Sequence, residues 1–220
     1  MNQFEETYKE KEDIYFSSKR LEVLSKVPKD TRTLLDVGCG VGDFAHEVKK
    51  QLNIEVWGVE LFPDSAAKAE KKIDKVFQGK IEDIIDKLPD NYFDCITFND
   101  VLEHLVEPWE VLRRIKSKLS KKGIILASIP NVRYYKNIVH FLFERDWQYI
   151  SEGILDRTHL RFFTKKSMLR MFDECSYSVE LIEGINEWHG RRYYTLNLLF
   201  LGTLYDARFM QYVVKVKPKN

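Results

Sequence analysis

The sequence predicts a doubly wound, mostly parallel α/β sheet with helical insertions over one end. Short apolar runs of strand length alternate with amphipathic stretches of helix length from Thr33 to Ile129. The first apolar run ends in a cluster of glycines, where open α/β sheets place their ligands. After Pro130 the alternation stops, and an aromatic-rich and base-rich stretch takes its place.

The elements follow in order. Glu5 to Val27 carries Ile14, Leu21 and Leu24 among charges and reads as an amphipathic helix closed by Pro28, so residues 1–30 form an N-terminal helical segment. Thr33 to Val37 is a buried strand, and Ala45, Val48 and Leu52 follow at helical spacing. Val56 to Val59 is the second strand, and Asp64 to Ile73 a second helix. Lys75 to Gln78 and Phe93 to Thr97 are strands three and four. Pro108 opens a helix whose stripe is Leu112, Ile115 and Leu119, Gly123 ends it, and Ile124 to Ile129 is strand five. A helix from Thr164 to Asp173 and strands at Ser178 to Ile182 and Gln211 to Lys217 complete the pattern. Strands separated by helices require crossover connections, hence a parallel sheet. The whole of residues 1–220 is expected to form one domain, with residues 131–163 and 184–208 as substrate-side insertions.

Composition excludes several classes of function. The formal net charge is only +1, and no block of five or six like charges occurs, which argues against a nucleic-acid partner. The three cysteines, Cys39, Cys95 and Cys175, form no CxxC pair, so neither a disulfide framework nor a structural zinc is indicated. The most apolar late stretch, Leu196 to Leu204, is far short of the roughly 20 residues that span a bilayer. The polar, acidic N-terminus does not suit a targeting signal, and a cytoplasmic location is expected.

The first strand–helix junction reads Leu34-Leu35-Asp36-Val37-Gly38-Cys39-Gly40-Val41-Gly42-Asp43-Phe44. The third glycine comes two residues after the second, where the dinucleotide fingerprint spaces it by three. Asp36 places a carboxylate at the strand end, which repels a pyrophosphate and attracts a cationic sulfonium or ammonium. Glu60 closes the second strand, 20 residues after Gly40, where an acid can accept both hydrogen bonds of a ribose diol. Taken singly, Asp36 could cap the next helix and Glu60 could pair with a lysine. Cys39 could simply fill a small gap, and Phe44 could simply start a core helix.

Together these segments resemble a family. LLDVGCGVGDF is similar to the first motif of class I S-adenosylmethionine-dependent methyltransferases, and GVEL to their ribose-binding strand end. FDCITFNDVLEHL resembles their fourth-strand motif and KLSKKGIILASIPN their approach to strand five. The resemblance implies a Rossmann-like methyltransferase fold and S-adenosyl-L-methionine as cofactor. It implies that Asp36, Gly38, Cys39 and Gly40 line the methionine moiety, that Glu60 holds the ribose and that Leu61 packs on the adenine. It also brings the Ile81 amide to the ring and Asn99 to the cofactor through its backbone. Lys80 stands where the family often has an aspartate for the adenine amino group.

Candidates for the chemistry follow strand four, in Asp100-Val101-Leu102-Glu103-His104, and end the first insertion, in Asp156-Arg157-Thr158-His159. If the former is a helical turn, residues 100, 103 and 104 share a face. Asp100 and Glu103 are also spaced as a capping box. His104 and His159 lie at strand ends on one rim, so both could face the transferred methyl group. One acts as general base in the simplest reading. In the other, both join Asp100 and Glu103 as metal ligands. The HLRFFT stretch resembles methyltransferases of polysaccharide and sugar biosynthesis and, more loosely, metal-dependent 2′-O-methyltransferases of small-RNA 3′ ends, although Asp100 replaces the first glutamate of their metal pattern. The expected function is therefore methyl transfer to oxygen or nitrogen of a small-molecule acceptor, a sugar-containing metabolite in the leading reading. The alternatives are an RNA-end methyltransferase and a catalytically silent adenosyl-binding regulator. Interleaved rings and bases, among them Tyr135, Phe141, Trp147, Arg133 and Arg145, suggest that residues 131–163 form a cover over the site.

Overall fold

The computed structural model of the protein describes residues 20–219. Most of the expected N-terminal helix lies outside the described residues; its visible end is a single turn, α1 (Leu21–Leu24), with Val23 fully buried. The remaining elements run β1 (Thr33–Val37), α2 (Asp43–Leu52), β2 (Glu55–Glu60), α3 (Pro63–Ala69), β3 (Lys75–Gln78), α4 (Ile81–Ile84) and β4 (Phe93–Asn99). After a tight turn at Leu102–His104 come α5 (Pro108–Ile115), β5 (Leu119–Pro130), α6 (Tyr135–Val139), α7 (Lys165–Glu174), β6 (Tyr177–Glu187), α8 (Arg191–Leu199) and β7 (Phe209–Pro218).

The seven strands lie in the order β3-β2-β1-β4-β5-β7-β6. The first five are parallel, and β7 runs antiparallel to both β5 and β6. The order reverses at β1 and β4, so their carboxyl ends splay apart and leave the crevice in which such sheets bind ligands. Apolar cores pack on both faces. One joins Leu35, Phe98, Leu112, Met168 and Phe172, the other Val23, Leu34, Phe44, Val48 and Leu126. Strands buried on both faces explain the near-continuous apolar runs of the sequence.

Local chemistry sets the ends of several elements. Prolines open α3 and α5, where the missing N–H costs nothing. A reciprocal capping box between Thr164 and Ser167 starts α7. Gly123 does not end a helix, contrary to the spacing. It lies inside β5, where a Cβ would stand 2.6 Å from the Phe93 carbonyl, so strand-to-strand contact selects glycine there. The second insertion also begins later than expected, because β6 continues through residues 184–187 by pairing with β7.

Residues 131–163 and 188–208 pack on each other above the carboxyl rim. Arg133 donates to the Asp206 carboxylate at 2.9 and 3.2 Å and to the Thr203 carbonyl at 2.9 Å. Asn131 donates to the carbonyls of Asp206 and Phe209, and the rings of Tyr135 and Trp188 stack at 3.8 Å. Among the described residues, no helix is long and apolar enough to cross a membrane.

Candidate active site

A cavity of about 310 Å³ opens at the carboxyl ends of β1, β2 and β4. Asp36, Gly38, Cys39, Gly40, Glu60, Leu61, Ile81 and Asn99, the residues singled out in the sequence as cofactor contacts, all line it. Gly38, Gly40 and Gly42 all have positive φ, which lets the loop turn under the cavity without a side chain in the way. A Cβ on Gly38 would stand 2.5 Å from Val101, so glycine there is required by close packing as well.

Glu60 organises this loop. Its Oε2 accepts from the Gly40 amide at 2.8 Å and its Oε1 from the Phe62 amide at 2.9 Å. Burial raises its pKa, and main-chain amides of Phe62, Gly40 and Leu61 pull the other way. Asp36 is almost fully buried and accepts from Thr97 Oγ1 at 2.7 Å and Asn99 Nδ2 at 3.4 Å. Burial pushes its carboxyl up to about 7, against the pull of those two donors. Cys39 is buried, and its thiol fills the space above Gly58, where a Cβ would meet Sγ at 2.6 Å. Burial holds that thiol well above its usual range, so it is protonated and packs as an apolar group.

Sequence reasoning missed Arg20. It comes from the segment before β1, lines the cavity and pairs with the Asp100 carboxylate. Asp100 also accepts from Ser128 Oγ at 3.0 Å and Gln211 Nε2 at 2.9 Å. The expected capping box is therefore not formed: the side chain of Asp100 is spent on β5, β7 and Arg20, and Val101 rather than Asp100 precedes the turn. Asp100 has φ +53, which turns it away from the face shared by Glu103 and His104. No local signal marks Arg20, because its partners at the cavity, Asp100 and Gln211, are 80 and 191 residues away.

His104 lines the cavity; His159 stands behind it, buried, with the two ring centroids 4.6 Å apart and edge to face. His104 Nδ1 lies 3.1 Å from the Thr158 carbonyl, and His159 Nδ1 lies 2.9 Å from the Ile154 carbonyl. A carbonyl only accepts, so each Nδ1 carries a proton, and in the neutral ring each Nε2 carries the lone pair. Glu103 is 1% exposed, and no hydrogen-bond partner reaches either carboxylate oxygen among the described residues. Burial pushes its pKa up to about 8.

Comparison with known proteins agrees with this geometry. A family model described as a methyltransferase domain matches residues 8–181, most of the chain. The chain belongs to this family. It is a methyltransferase domain of the S-adenosylmethionine-dependent class. It is 31% identical over 152 residues to the mitochondrial ubiquinone biosynthesis O-methyltransferase of Saccharomyces cerevisiae, covering 64% of this chain and 47% of that protein. The chain thus spans about half the length of that relative. A ubiquinone biosynthesis O-methyltransferase of Aliivibrio fischeri is 26% identical over 167 residues, 70% of this chain and 68% of the other. A crystal structure of an S-adenosylmethionine-dependent methyltransferase from Archaeoglobus fulgidus shares the fold with a TM-score of 0.72 at 21% identity, over 96% of this chain and 99% of that one.

The residues of the methyltransferase domain fit S-adenosylmethionine. A buried carboxylate held near neutrality at Asp36 gains from a cationic ligand, and the buried Asn99 Oδ1 has no hydrogen-bond donor among the described residues. The Glu60 carboxylate accepts from the Gly40 and Phe62 amides at the cavity wall, a position from which it could also accept from a ribose hydroxyl. Phe62, Gly79, Lys80 and Glu82 complete the rim near Ile81, and Leu105, Val106 and Leu160 line the His104 side.

Proposed function

We propose that this domain transfers the methyl group of S-adenosylmethionine to an oxygen of a small hydroxyl-bearing molecule, which enters on the His104 side of the cavity. The observation that carries this reading is the position of His104. It is a cavity-lining residue whose Nδ1 donates to the Thr158 carbonyl, so in the neutral ring Nε2 is the nitrogen that offers a lone pair to activate a hydroxyl. The cofactor supplies an electrophilic methyl carbon when bound. The protein's own task is to orient that carbon, through Asp36, Glu60 and the glycine loop, and to place the acceptor oxygen in line with it. A sugar-containing acceptor is supported by the exposed rings of Phe141, Phe143, Trp147 and Tyr149, interleaved with basic residues on the cap. A phenolic quinone precursor is supported by the likeness to ubiquinone O-methyltransferases.

The test is a methyl-transfer screen with labelled cofactor over nucleotide-sugars, phenolic quinone precursors and short RNAs. An O-methylated small molecule supports the reading. In that assay His104→Ala is expected to lower kcat by roughly 10²–10⁴ and to change cofactor affinity only slightly. A methylated RNA, or cofactor binding with no product from any acceptor, would replace the reading by one of its rivals.

A further inference from the structure

The nitrogen that His104 turns to the cavity is chosen behind the cavity wall. We propose that Asp156 is the positioning residue that makes this choice, by holding the Thr158 hydroxyl as a hydrogen-bond acceptor towards the ring. Asp156 is fully buried and does not itself line the cavity.

Hydrogen-bond polarity runs in one direction along this chain of groups. Asp156 Oδ1 lies 2.8 Å from the Thr158 amide, and an amide N–H only donates, so Oδ1 is an acceptor. The Thr158 hydroxyl lies 2.7 Å from the same oxygen and turns its single proton towards it. Only lone pairs remain on the hydroxyl oxygen, and His104 Nδ1 lies 3.3 Å from them. Nδ1 also lies 3.1 Å from the Thr158 carbonyl, a second acceptor. One ring N–H thus faces two acceptors, whereas the other tautomer would set its Nδ1 lone pair against both. Burial of Asp156 and Thr158 keeps bulk water from turning the hydroxyl round.

The local sequence builds this arrangement. In Asp156-Arg157-Thr158 the carboxylate reaches the amide two residues on, a turn that aspartate favours. Main-chain bonds hold the turn on both sides: the Asp156 amide donates to the Gly153 carbonyl at 3.2 Å, and its carbonyl accepts from the His159 amide at 2.9 Å. The Glu103 carbonyl accepts from the amides of Leu160 at 2.8 Å and Arg161 at 3.0 Å. The turn that carries His104 is thereby fastened to the segment that carries Thr158. His159 packs edge to face on the His104 ring at 4.6 Å and resists its rotation away from Thr158.

What this order does for catalysis rests on the methyl-transfer reading above; the order itself does not. In that reaction the acceptor hydroxyl gives its proton to Nε2 and its oxygen bonds the methyl carbon, while the carbon–sulfur bond breaks and its electron pair stays on sulfur. The imidazolium so formed keeps its Nδ1–H on the two Thr158 oxygens. The ring has no need to turn as it takes up the proton.

The experiment reads the tautomer directly. Long-range proton–nitrogen correlation NMR is recorded on the full chain labelled with nitrogen-15 histidine, without cofactor or acceptor, at a pH where the ring is neutral. The His104 signals are those missing from His104→Asn. The expected wild-type pattern is a protonated Nδ1 and an unprotonated Nε2. In Asp156→Ala the hydroxyl is free to donate to Nδ1, and the Nε2 signal is expected to move towards the protonated position. Asp156→Asn, whose side-chain oxygen still accepts, is expected to restore the wild-type pattern. Asp156→Leu fills more of the space and equally lacks an acceptor, so it replaces the alanine variant if that does not fold. His46, whose Nδ1 lies 3.1 Å from the Lys72 carbonyl, is the control ring and is expected to stay unchanged. With an acceptor found by the screen, Asp156→Ala is expected to lower kcat at least about tenfold at nearly constant KM, a fraction of the roughly 10²–10⁴ that a general base contributes. A protonated Nε2 in the wild type, an unchanged tautomer in the folded alanine or leucine variant, or an asparagine variant shifted as far as alanine overturns the role of Asp156. A shifted tautomer with no methylated product from any acceptor supports that role and removes the methyl-transfer reading. Product that depends on His104, with the tautomer indifferent to Asp156, does the reverse.

Discussion

Glu60 reaches from the end of β2 to the Gly40 amide of the loop after β1, a contact of 2.8 Å. Its other oxygen holds the Phe62 amide at 2.9 Å, so one carboxylate ties the glycine loop to the start of α3. The same group therefore shapes the glycine loop and lines the cavity.

Glu60→Ala removes both tethers and, with them, the proposed ribose contact. Losing charged hydrogen bonds of this kind costs about 1.5–3 kcal/mol, or roughly 10–100-fold in S-adenosylmethionine affinity. Glu60→Gln recovers part of the loss, because an amide oxygen still accepts from one main-chain N–H. Calorimetry that finds the alanine variant unchanged would take Glu60 out of the site.

Asp36 gives the domain a pH signature. Its folded pKa of about 7 lies above the ordinary 3.8, so between these values the folded chain holds a proton that the unfolded chain has lost. The stability contributed by this group is full below about pH 4 and is lost as pH rises to about 7. Cofactor binding runs the other way, since a cationic ligand gains from the ionised form. Asp36→Asn is expected to flatten this part of the melting profile and to weaken cofactor binding most above pH 7. Parallel melting profiles for the two proteins from pH 4 to 8 would refute the assignment.

Gly38→Ala tests the fit between the glycine loop and the turn after β4. The added Cβ would collide with Val101 at 2.5 Å, in a backbone conformation with φ +71 that disfavours a side chain. The strain alone is worth about 1–2 kcal/mol. A lower melting temperature and weaker cofactor binding are both expected, because Val101 also lines the cavity. A variant that binds cofactor normally would show that the turn can yield without disturbing the site.

The sheet and the β1–β2 side of the cavity were legible in the sequence because each depends on local pattern. β1 and β5 are apolar runs buried on two faces, and Asp36, Gly38, Gly40 and Glu60 lie at fixed offsets from strand ends. The His104 side of the cavity was only half legible. Glu103 and His104 belong to one short turn, but their meeting with His159 depends on main-chain bonds to Leu160 and Arg161, 57 and 58 residues further on. Asp100 misled because its helical spacing was right while its φ was not. Arg20 and Gln211, its actual partners, come from opposite ends of the chain and leave no periodic trace.

The cap offers the last prediction. Residues 131–163 and 188–208 are insertions that touch through Arg133, which binds both the Asp206 carboxylate and the Thr203 carbonyl. Arg133→Met keeps much of the apolar stem and removes the charge. The pair is 38% and 25% exposed at its two side chains, so global stability is expected to fall by no more than about 1 kcal/mol. Local stability should fall further, since few buried apolar contacts support the exposed Phe141, Leu142 and Phe143 on one side and Leu199, Phe200 and Leu201 on the other. Hydrogen exchange is expected to speed up in both insertions of the variant, with the glycine loop unaffected, and to slow in both on adding cofactor and acceptor to the wild type. Faster exchange in one insertion alone would mean that the two segments move independently, and that the ring stack of Tyr135 on Trp188 does not couple them.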